Sequence, residues 1–190
     1  MITLQGRTIA FLAAPVGVEQ VELTRAWQAV EEAGGTPRLL STAPGRIQAF
    51  DRLDRADTFP VDQVVGEVEP AAFDGLVLPG GVANPDRLRT DERAVEFVRA
   101  VFTLGRPVAV ICHGPWTLVE ADVVRGRTLT SFPSIRTDLV NAGAVWVDEE
   151  VHVCTDGPNT LISSRRPADL PAFCEAFVTA FAKSARQSAR

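Results

Sequence analysis

Residues 107–116 read PVAVICHGPW, and this stretch decides the fold. A short apolar run rich in β-branched residues is typical of a strand buried on both faces of a parallel sheet. Gly114 and Pro115 end the extended pattern, and proline suits the first turn of a helix, where no N–H is needed. Cys112 is therefore predicted to lie on a tight turn between a strand and a helix.

A cysteine on such a turn, a nucleophile elbow, suits nucleophilic chemistry. Its sulfur projects above the positive end of a helix, where a thiolate is favoured over a thiol. The alternative is that Cys112 only packs, because cysteine is among the most buried residue types. His113 follows it directly and is a candidate general base or acid near neutral pH, or else a residue that orients the turn.

Composition narrows the class of protein. The chain has 190 residues, of which 46% are hydrophobic and 23% charged, as expected for one soluble domain over residues 1–190. The net charge of -5 argues against a nucleic-acid partner. No apolar run approaches the ~20 residues of a membrane span, and the first residues do not resemble a signal peptide. Three cysteines do not suggest a disulfide framework, so we expect a cytoplasmic protein.

Strand and helix patterns alternate along the chain. Strands are predicted over residues 8–14, 36–42, 73–81, 107–111, 126–131, 144–147, 151–155 and 160–164. Helices are predicted over residues 21–33, 91–104, 119–123, 135–141 and 168–183. Short connections between strands and helices imply a parallel sheet with helices on its faces. We therefore predict an α/β fold, a flavodoxin-like three-layer sandwich with a mostly parallel central sheet.

Three segments fall outside this regular pattern. Residues 15–20 are predicted as a loop after the first strand, and residues 43–70 as a hairpin or an excursion at the sheet edge. In the following helix, Val21, Leu23, Trp27 and Val30 fall at helical spacing and are predicted to form its apolar face. Residues 184–190 are predicted to be a frayed tail.

Three loops should converge at one sheet edge, because ligands of such sheets bind beyond the carboxyl ends of the strands. Glu19 is either a solvated charge or a hydrogen-bond partner that favours an ionised Cys112 sulfur beside a protonated carboxyl. The Gly80-Gly81 pair is either a plain turn or an oxyanion site. In the second case the backbone amides of Gly81 and His113 would face the oxyanion.

The other residue types of chemical interest are interpreted as structural. His152 lies within a strand pattern far from the turn, and Cys154 and Cys174 are assigned to packing. No spacing of cysteine and histidine matches a metal site, and neither a metal nor a cofactor is predicted.

Taken together, short motifs in a fixed order resemble the PfpI family, part of the DJ-one superfamily of class I glutamine-amidotransferase-like proteins. They are VEQVEL at 18–23, DGLVLPGG at 74–81, VAVICHGP at 108–115, VRGR at 124–127, NAGA at 141–144, and SSR at 163–165 followed by PADL at 167–170.

The resemblance implies that Cys112 is the reactive cysteine, Glu19 its carboxyl partner and His113 the adjacent histidine. It also implies a homodimer or a larger assembly. Asp86 stands where an acidic residue of some members orients the histidine of a neighbouring subunit, and it is one methylene shorter than the glutamate of peptidase-like members. Trp116, where relatives often carry a polar residue, would narrow the mouth of the pocket. The alternative is that the residues at positions 86 and 116 are surface variations without functional consequence.

Three functions remain open from the sequence. The first is a hydrolytic glyoxalase or deglycase that acts on small carbonyls or on glycated groups of modified proteins. The second is an intracellular cysteine peptidase or amidase that uses Cys112, His113 and Asp86 across a subunit contact. The third is a non-enzymatic sensor of oxidative stress, in which peroxide oxidises the Cys112 thiolate.

Overall fold

A computed structural model describes residues 2–184, and within them it has twelve strands and six α-helices. The strands are β1 Thr8–Leu12, β2 Val16–Glu19, β3 Thr36–Ser41, β4 Arg46–Asp51, β5 Asp54–Pro60, β6 Gln63–Val64, β7 Gly75–Leu78, β8 Val108–Ile111, β9 Thr128–Leu129, β10 Val145–Trp146, β11 Val151–Cys154 and β12 Leu161–Ser164. The helices are α1 Gln20–Glu32, α2 Ala83–Leu88, α3 Glu92–Thr103, α4 Pro115–Glu120, α5 Arg136–Asn141 and α6 Leu170–Lys183.

Seven strands form the central sheet, in the order β11-β12-β8-β7-β1-β3-β6. Neighbouring strands are parallel except at one edge, where β11 is antiparallel to β12. The strands β7 and β8 are buried throughout, as expected for a parallel sheet covered on both faces. This confirms the predicted α/β class with a mostly parallel sheet.

The helices cover the two faces of the sheet and complete three layers. On one face, α1 and α6 pack through Leu23, Phe173 and Phe177. On the other face, α3 and α4 pack through Val98 and Leu118, together with α5. The residues of β8 alternate between the two cores, so this strand is fixed from both sides. The end of β8, where Cys112 follows, is therefore held by the most buried part of the molecule.

Several segments differ from the sequence prediction. The predicted loop at 15–20 contains β2, which pairs with β4 of the β4–β5 hairpin in a separate three-stranded sheet. The hairpin predicted within 43–70 is confirmed. The strand pattern at 126–131 yields only β9, which pairs with β10 outside the central sheet. Helix α2, directly after the glycine pair, was not predicted, and α4 begins at Pro115 rather than at residue 119.

The buried face of α1 also differs from the prediction. Val21 is 37% exposed, so its assignment to the apolar face is wrong. Leu23 and Val30 are buried as predicted, and the buried face also includes Glu22 and Ala26, so that positions 22, 26 and 30 recur every four residues. Of the predicted tail, residues 185–190 lie outside the described residues. Within residues 2–184 no helix combines the length and the apolar character required to cross a membrane.

Candidate active site

The predicted turn at Cys112 is present and has an unusual backbone conformation. Cys112 has a φ of 63°, in the left-handed region that residues other than glycine rarely adopt. Its N–H donates to the Ser164 carbonyl at 3.1 Å, and its own carbonyl accepts the Phe132 N–H at 2.9 Å. The following helix α4 begins at Pro115. A strained conformation that neighbouring segments hold on two sides is typical of a functional position.

The Pro-Gly-Gly turn at residues 79–81 packs so closely against the elbow that position 80 requires glycine. A Cβ atom at Gly80 would lie 2.6 Å from the Cβ of Cys112 and 2.7 Å from Oε2 of Glu22. Asn84 holds this turn, because its side-chain N–H₂ donates to the carbonyls of Pro79 and Gly80 at 3.0 and 3.1 Å. Asn84 is fully buried and was not identified from the sequence.

The carboxyl partner of Cys112 is Glu22. The Glu22 side chain is fully buried, is hydrogen-bonded to Cys112, and accepts the Gly80 N–H through Oε2 at 2.7 Å. Its Oε1 is also buried and accepts no N–H from any described residue. The prediction that Glu19 fills this place is therefore wrong. Glu22 lies in the first turn of α1 and faces the elbow, whereas Glu19 precedes the helix.

Glu19 lies beside the site but contacts the hairpin. Its carboxylate accepts the backbone N–H of Arg52, at 3.1 Å to Oε2 and 3.4 Å to Oε1. Its own N–H donates to the Gly80 carbonyl at 3.3 Å. Burial raises the pKa of Glu19, while the Arg52 N–H opposes that shift. Glu19 thus connects β2, the Pro-Gly-Gly turn and the tip of the β4–β5 hairpin.

The electrostatics of the Glu22–Cys112 pair follow from its burial. Burial raises the pKa of Glu22 to about 8, so this carboxyl is protonated at neutral pH. Burial also raises the pKa of the Cys112 thiol, and a negative charge on Glu22 would raise it further. The backbone N–H groups of Gly81 and His113 hydrogen-bond to the sulfur and lower its pKa. Two buried acids in contact therefore titrate as a coupled pair.

The backbone N–H groups of the site bind two different side chains, the Cys112 sulfur and the Glu22 carboxyl. The N–H groups of Gly81 and His113 are directed at the sulfur, and their predicted role toward an oxyanion stays a prediction. The N–H of Gly80 is bonded to Glu22, so the assignment of Gly80 to the oxyanion site is wrong. Gly81 has a φ of 82°, which requires glycine.

His113 is held between an aromatic ring and two hydrogen bonds. Its Nδ1 lies 3.2 Å from the Cys112 sulfur, and its Nε2 lies 3.1 Å from Oγ of Ser134. The ring stacks on Phe132 with centroids 4.7 Å apart and planes inclined at 23°. Burial lowers the pKa of His113, which favours the neutral imidazole. Ser134 was not identified from the sequence.

The Trp116 ring lies next to that of His113, with ring centroids 5.5 Å apart. Its indole N–H donates to Asp138 at 2.8 Å, and the Arg89 guanidinium lies 5.8 Å from the ring centroid. These contacts fix the half-buried indole beside the elbow. The predicted narrowing of the pocket mouth by Trp116 stays a prediction.

Asp86 lies on the first turn of α2 and is exposed. Within residues 2–184 it forms no ion pair. Its predicted role across a subunit contact stays a prediction.

The other histidine and the other two cysteines lie away from the elbow and make different contacts. His152 pairs with Glu149 at 2.7 Å in β11. Cys154 is buried, and its sulfur accepts the Nε–H of Arg127 at 3.3 Å. Cys174 is half-buried on α6, where burial raises the pKa of its thiol to about 11.

Fold and site together define a parallel α/β protein with a cysteine at a nucleophile elbow, in contact with a buried carboxyl and an imidazole. Among families of that kind, the chain belongs to the DJ-1/PfpI family, whose model matches residues 7–180. This confirms the resemblance seen in the sequence motifs.

Individual relatives agree with this assignment. The chain is 44% identical over 170 residues to Deglycase PfpI of Pyrococcus furiosus, covering 90% of this chain and 96% of that protein. It is 41% identical to General stress protein 18 of Bacillus subtilis, covering 82% of this chain and 87% of the relative. A solved two-domain protein from Anabaena variabilis, with DJ-1/ThiJ/PfpI-like and ferritin-like domains, has a TM-score of 0.83 and 32% identity over 91% of this chain and 47% of its own.

Proposed function

We propose that this protein is a cysteine-dependent hydrolytic glyoxalase or deglycase that acts on reactive carbonyls or on the groups they have modified. The observation that carries the proposal is the convergence on the Cys112 sulfur of the Glu22 carboxyl, the His113 imidazole and two backbone N–H groups. The similarity to a protein named as a deglycase supports it. The relative named as a general stress protein is consistent with a role in stress.

In the reactive form of the site, Cys112 has lost its proton and the Glu22–Cys112 pair holds one proton. Because the pKa of Glu22 is about 8, the carboxyl keeps this proton at neutral pH and donates a hydrogen bond to the sulfur. A neutral Glu22 does not oppose ionisation of Cys112 through its charge. The N–H groups of Gly81 and His113 then stabilise the thiolate, as does the start of α4.

The reaction with methylglyoxal begins when the thiolate of Cys112 adds to the aldehyde carbon. A C–S bond forms, and the carbonyl oxygen takes the proton of Glu22 to give a hemithioacetal. The Glu22 carboxylate then moves the hydrogen of the first carbon, as a proton, to the second carbon. His113 moves the hydroxyl proton between the two oxygens, which leaves a thioester on Cys112.

Water completes the cycle by attacking the thioester carbon. The C–S bond breaks, the sulfur leaves as a thiolate, and the hydroxy acid is released as lactate. Of the two protons of the water, one returns to Glu22 and the other goes to solvent. The net reaction converts methylglyoxal and water into lactate and a proton, so no external oxidant or reductant is needed.

The test is lactate formation from methylglyoxal, together with release of glycated amines and thiols. We expect activity in the wild type, none in Cys112→Ala, and wild-type activity in Cys174→Ala, which removes a thiol outside the site. A wild-type protein that forms no lactate and releases no glycated substrate would contradict the proposal.

A second candidate is a cysteine peptidase or amidase, favoured by the 3.2 Å contact between the Cys112 sulfur and the His113 ring. In this function, Asp86 of one subunit would assist His113 of another, which needs the homodimer or larger assembly that we also propose. Mixing Asp86→Ala with Cys112→Ala subunits should then restore part of the peptidase activity. No cleavage of any peptide or amide by the mixed or the wild-type protein would exclude this function.

For the location, we propose the cytoplasm. The three cysteines are free thiols in the described structure, and a reactive thiol needs a reducing compartment. Fractionation of cells that express the full chain would test this, with recovery outside the cytoplasmic fraction as the contradicting result.

A further inference from the structure

The His113 ring makes a second contact, with a side chain that the proposed reaction does not use. Its Nε2 lies 3.1 Å from Oγ of Ser134, while its Nδ1 faces the Cys112 sulfur at 3.2 Å. We infer that Ser134 is a positioning residue whose hydroxyl donates to Nε2 and thereby holds the hydrogen of the neutral imidazole on Nδ1, directed at the sulfur.

The choice of tautomer follows from what each partner can donate. A neutral imidazole carries one N–H, so one ring nitrogen donates and the other accepts. The Cys112 sulfur accepts a hydrogen bond from the ring both as a thiolate and as a thiol whose S–H is bonded to Glu22, which favours the hydrogen on Nδ1. Nε2 then needs a donor, and the hydroxyl of Ser134 supplies one. The stacked Phe132 ring offers none.

The position of Ser134 is fixed by the elbow itself. Ser134 lies in the 3-10 turn Pro133–Ile135, which begins next to Phe132. The Phe132 N–H donates to the Cys112 carbonyl at 2.9 Å, and its carbonyl accepts the N–H of the fully buried Ile135 at 3.2 Å. These hydrogen bonds therefore fix the segment that carries Ser134 relative to Cys112.

A hydroxyl and a carboxylate at this nitrogen would have opposite effects. The Ser134 hydroxyl can donate to Nε2 and leaves the ring neutral, in agreement with the lowered pKa of His113. A carboxylate such as Asp86 of another subunit only accepts, so it would require a hydrogen on Nε2 and would favour the charged imidazolium. The tautomer of His113 thus distinguishes the two partners.

Nitrogen NMR of the His113 ring in the full-length protein at pH 7 tests the inference without any turnover. The chain has two histidines, so His152→Gln assigns the signals. We expect the hydrogen on Nδ1 in the wild type and in Ser134→Thr, which keeps the hydroxyl. In Ser134→Ala, water replaces an exposed hydroxyl, and we expect a larger population with the hydrogen on Nε2.

The second readout is the rate at which iodoacetamide alkylates Cys112 at pH 7. Loss of one hydrogen bond should slow alkylation about fivefold in Ser134→Ala and leave Ser134→Thr and Cys174→Ala near the wild type. A hydrogen on Nε2 in the wild type, or an unchanged tautomer and alkylation rate in Ser134→Ala, would overturn the inference.

The role of Ser134 in turnover rests on the proposed function, whereas the tautomer does not. If the NMR and alkylation results are as expected and no lactate forms, the proposed function fails and the positioning role stands.

Discussion

Glu22, in the first turn of α1, is hydrogen-bonded to Cys112 at the end of β8, and the same carboxyl accepts the Gly80 N–H at 2.7 Å. One buried carboxyl therefore joins the helix after β2, the Pro-Gly-Gly turn and the nucleophile elbow. This arrangement makes the protonation of Glu22 part of both the stability and the chemistry of the protein.

Replacing Glu22 should reduce activity far more than replacing Glu19. Glu22→Gln keeps the shape of the side chain but removes the transferable proton, so kcat/KM for methylglyoxal should fall about 100-fold. Glu19→Gln is the matched control, because Glu19 lies one turn away and its carboxylate accepts the Arg52 N–H rather than contacting Cys112. Its kcat/KM should stay within about threefold of the wild type. Equal losses in the two variants would disagree with the assigned partner.

The stability of the protein should fall as the pH rises through the range in which Glu22 titrates. The ordinary pKa of 4.5 applies to the unfolded chain, and the folded value is about 8. Between these values the unfolded chain has released the proton and the folded chain still holds it. The free energy of unfolding therefore decreases with increasing pH in this window.

Urea denaturation at pH 5 and pH 8 measures this effect, with Glu22→Gln as the control that cannot ionise. We expect the free energy of unfolding of the wild type to decrease more than that of Glu22→Gln. If the free energies of unfolding of the wild type and of Glu22→Gln change equally between pH 5 and pH 8, the pKa of Glu22 is not raised.

Mild peroxide should add oxygen to Cys112 before the other thiols, as a sensor function also requires. Two backbone N–H groups and the His113 ring contact the Cys112 sulfur and favour its thiolate, whereas the Cys154 sulfur is buried against Arg127 and the Cys174 thiol donates to the Arg25 carbonyl at 3.8 Å. Intact mass followed by peptide mapping should locate the sulfenic and then the sulfinic acid on Cys112, and Cys112→Ser should gain no oxygen. Oxidation spread evenly over the three cysteines would count against a distinct environment at the elbow.

Gly80→Ala should damage the site and lower stability. The new methyl would overlap the Cβ of Cys112 and Oε2 of Glu22, which cannot both move without opening the elbow. We expect a loss of about 1–3 kcal/mol in the free energy of unfolding and at least a tenfold loss in kcat/KM. Gly66→Ala is the control, because the three atoms nearest to its methyl would all belong to the flexible side chain of Arg93, which can move away. A Gly80→Ala protein with wild-type activity would show that the close packing is dispensable.

The order of strands and helices was predictable because hydrophobic periodicity is a local property. Three local features each indicated a structural element: the apolar run of β8 a buried strand, Gly114 and Pro115 the turn into a helix, and the glycine pair the turn after β7. They were sufficient for the parallel α/β class and for the turn at Cys112. The short strand β2 and helix α2 were missed, because four and six residues give too little periodicity to detect.

The carboxyl partner was only partly predictable. Glu22, Ala26 and Val30 recur at four-residue spacing, and a glutamate on the buried face of a helix is a signal of function that could have been used. The place of Glu19 in the predicted loop after the first strand favoured that residue instead. Which of the two carboxyls turns toward the sulfur depends on where α1 begins.

The sequence by itself determined the layered fold and the strand-to-helix turn that carries Cys112 and His113, because these depend on contiguous residues. Only the tertiary structure decided that Glu22 rather than Glu19 meets Cys112, that the Gly80 N–H serves the carboxyl, and that Ser134 reaches His113. The physical reason is that hydrogen bonds are directional over about 3 Å. Such contacts between segments distant in sequence exist only once the sheet and helices fix their relative positions.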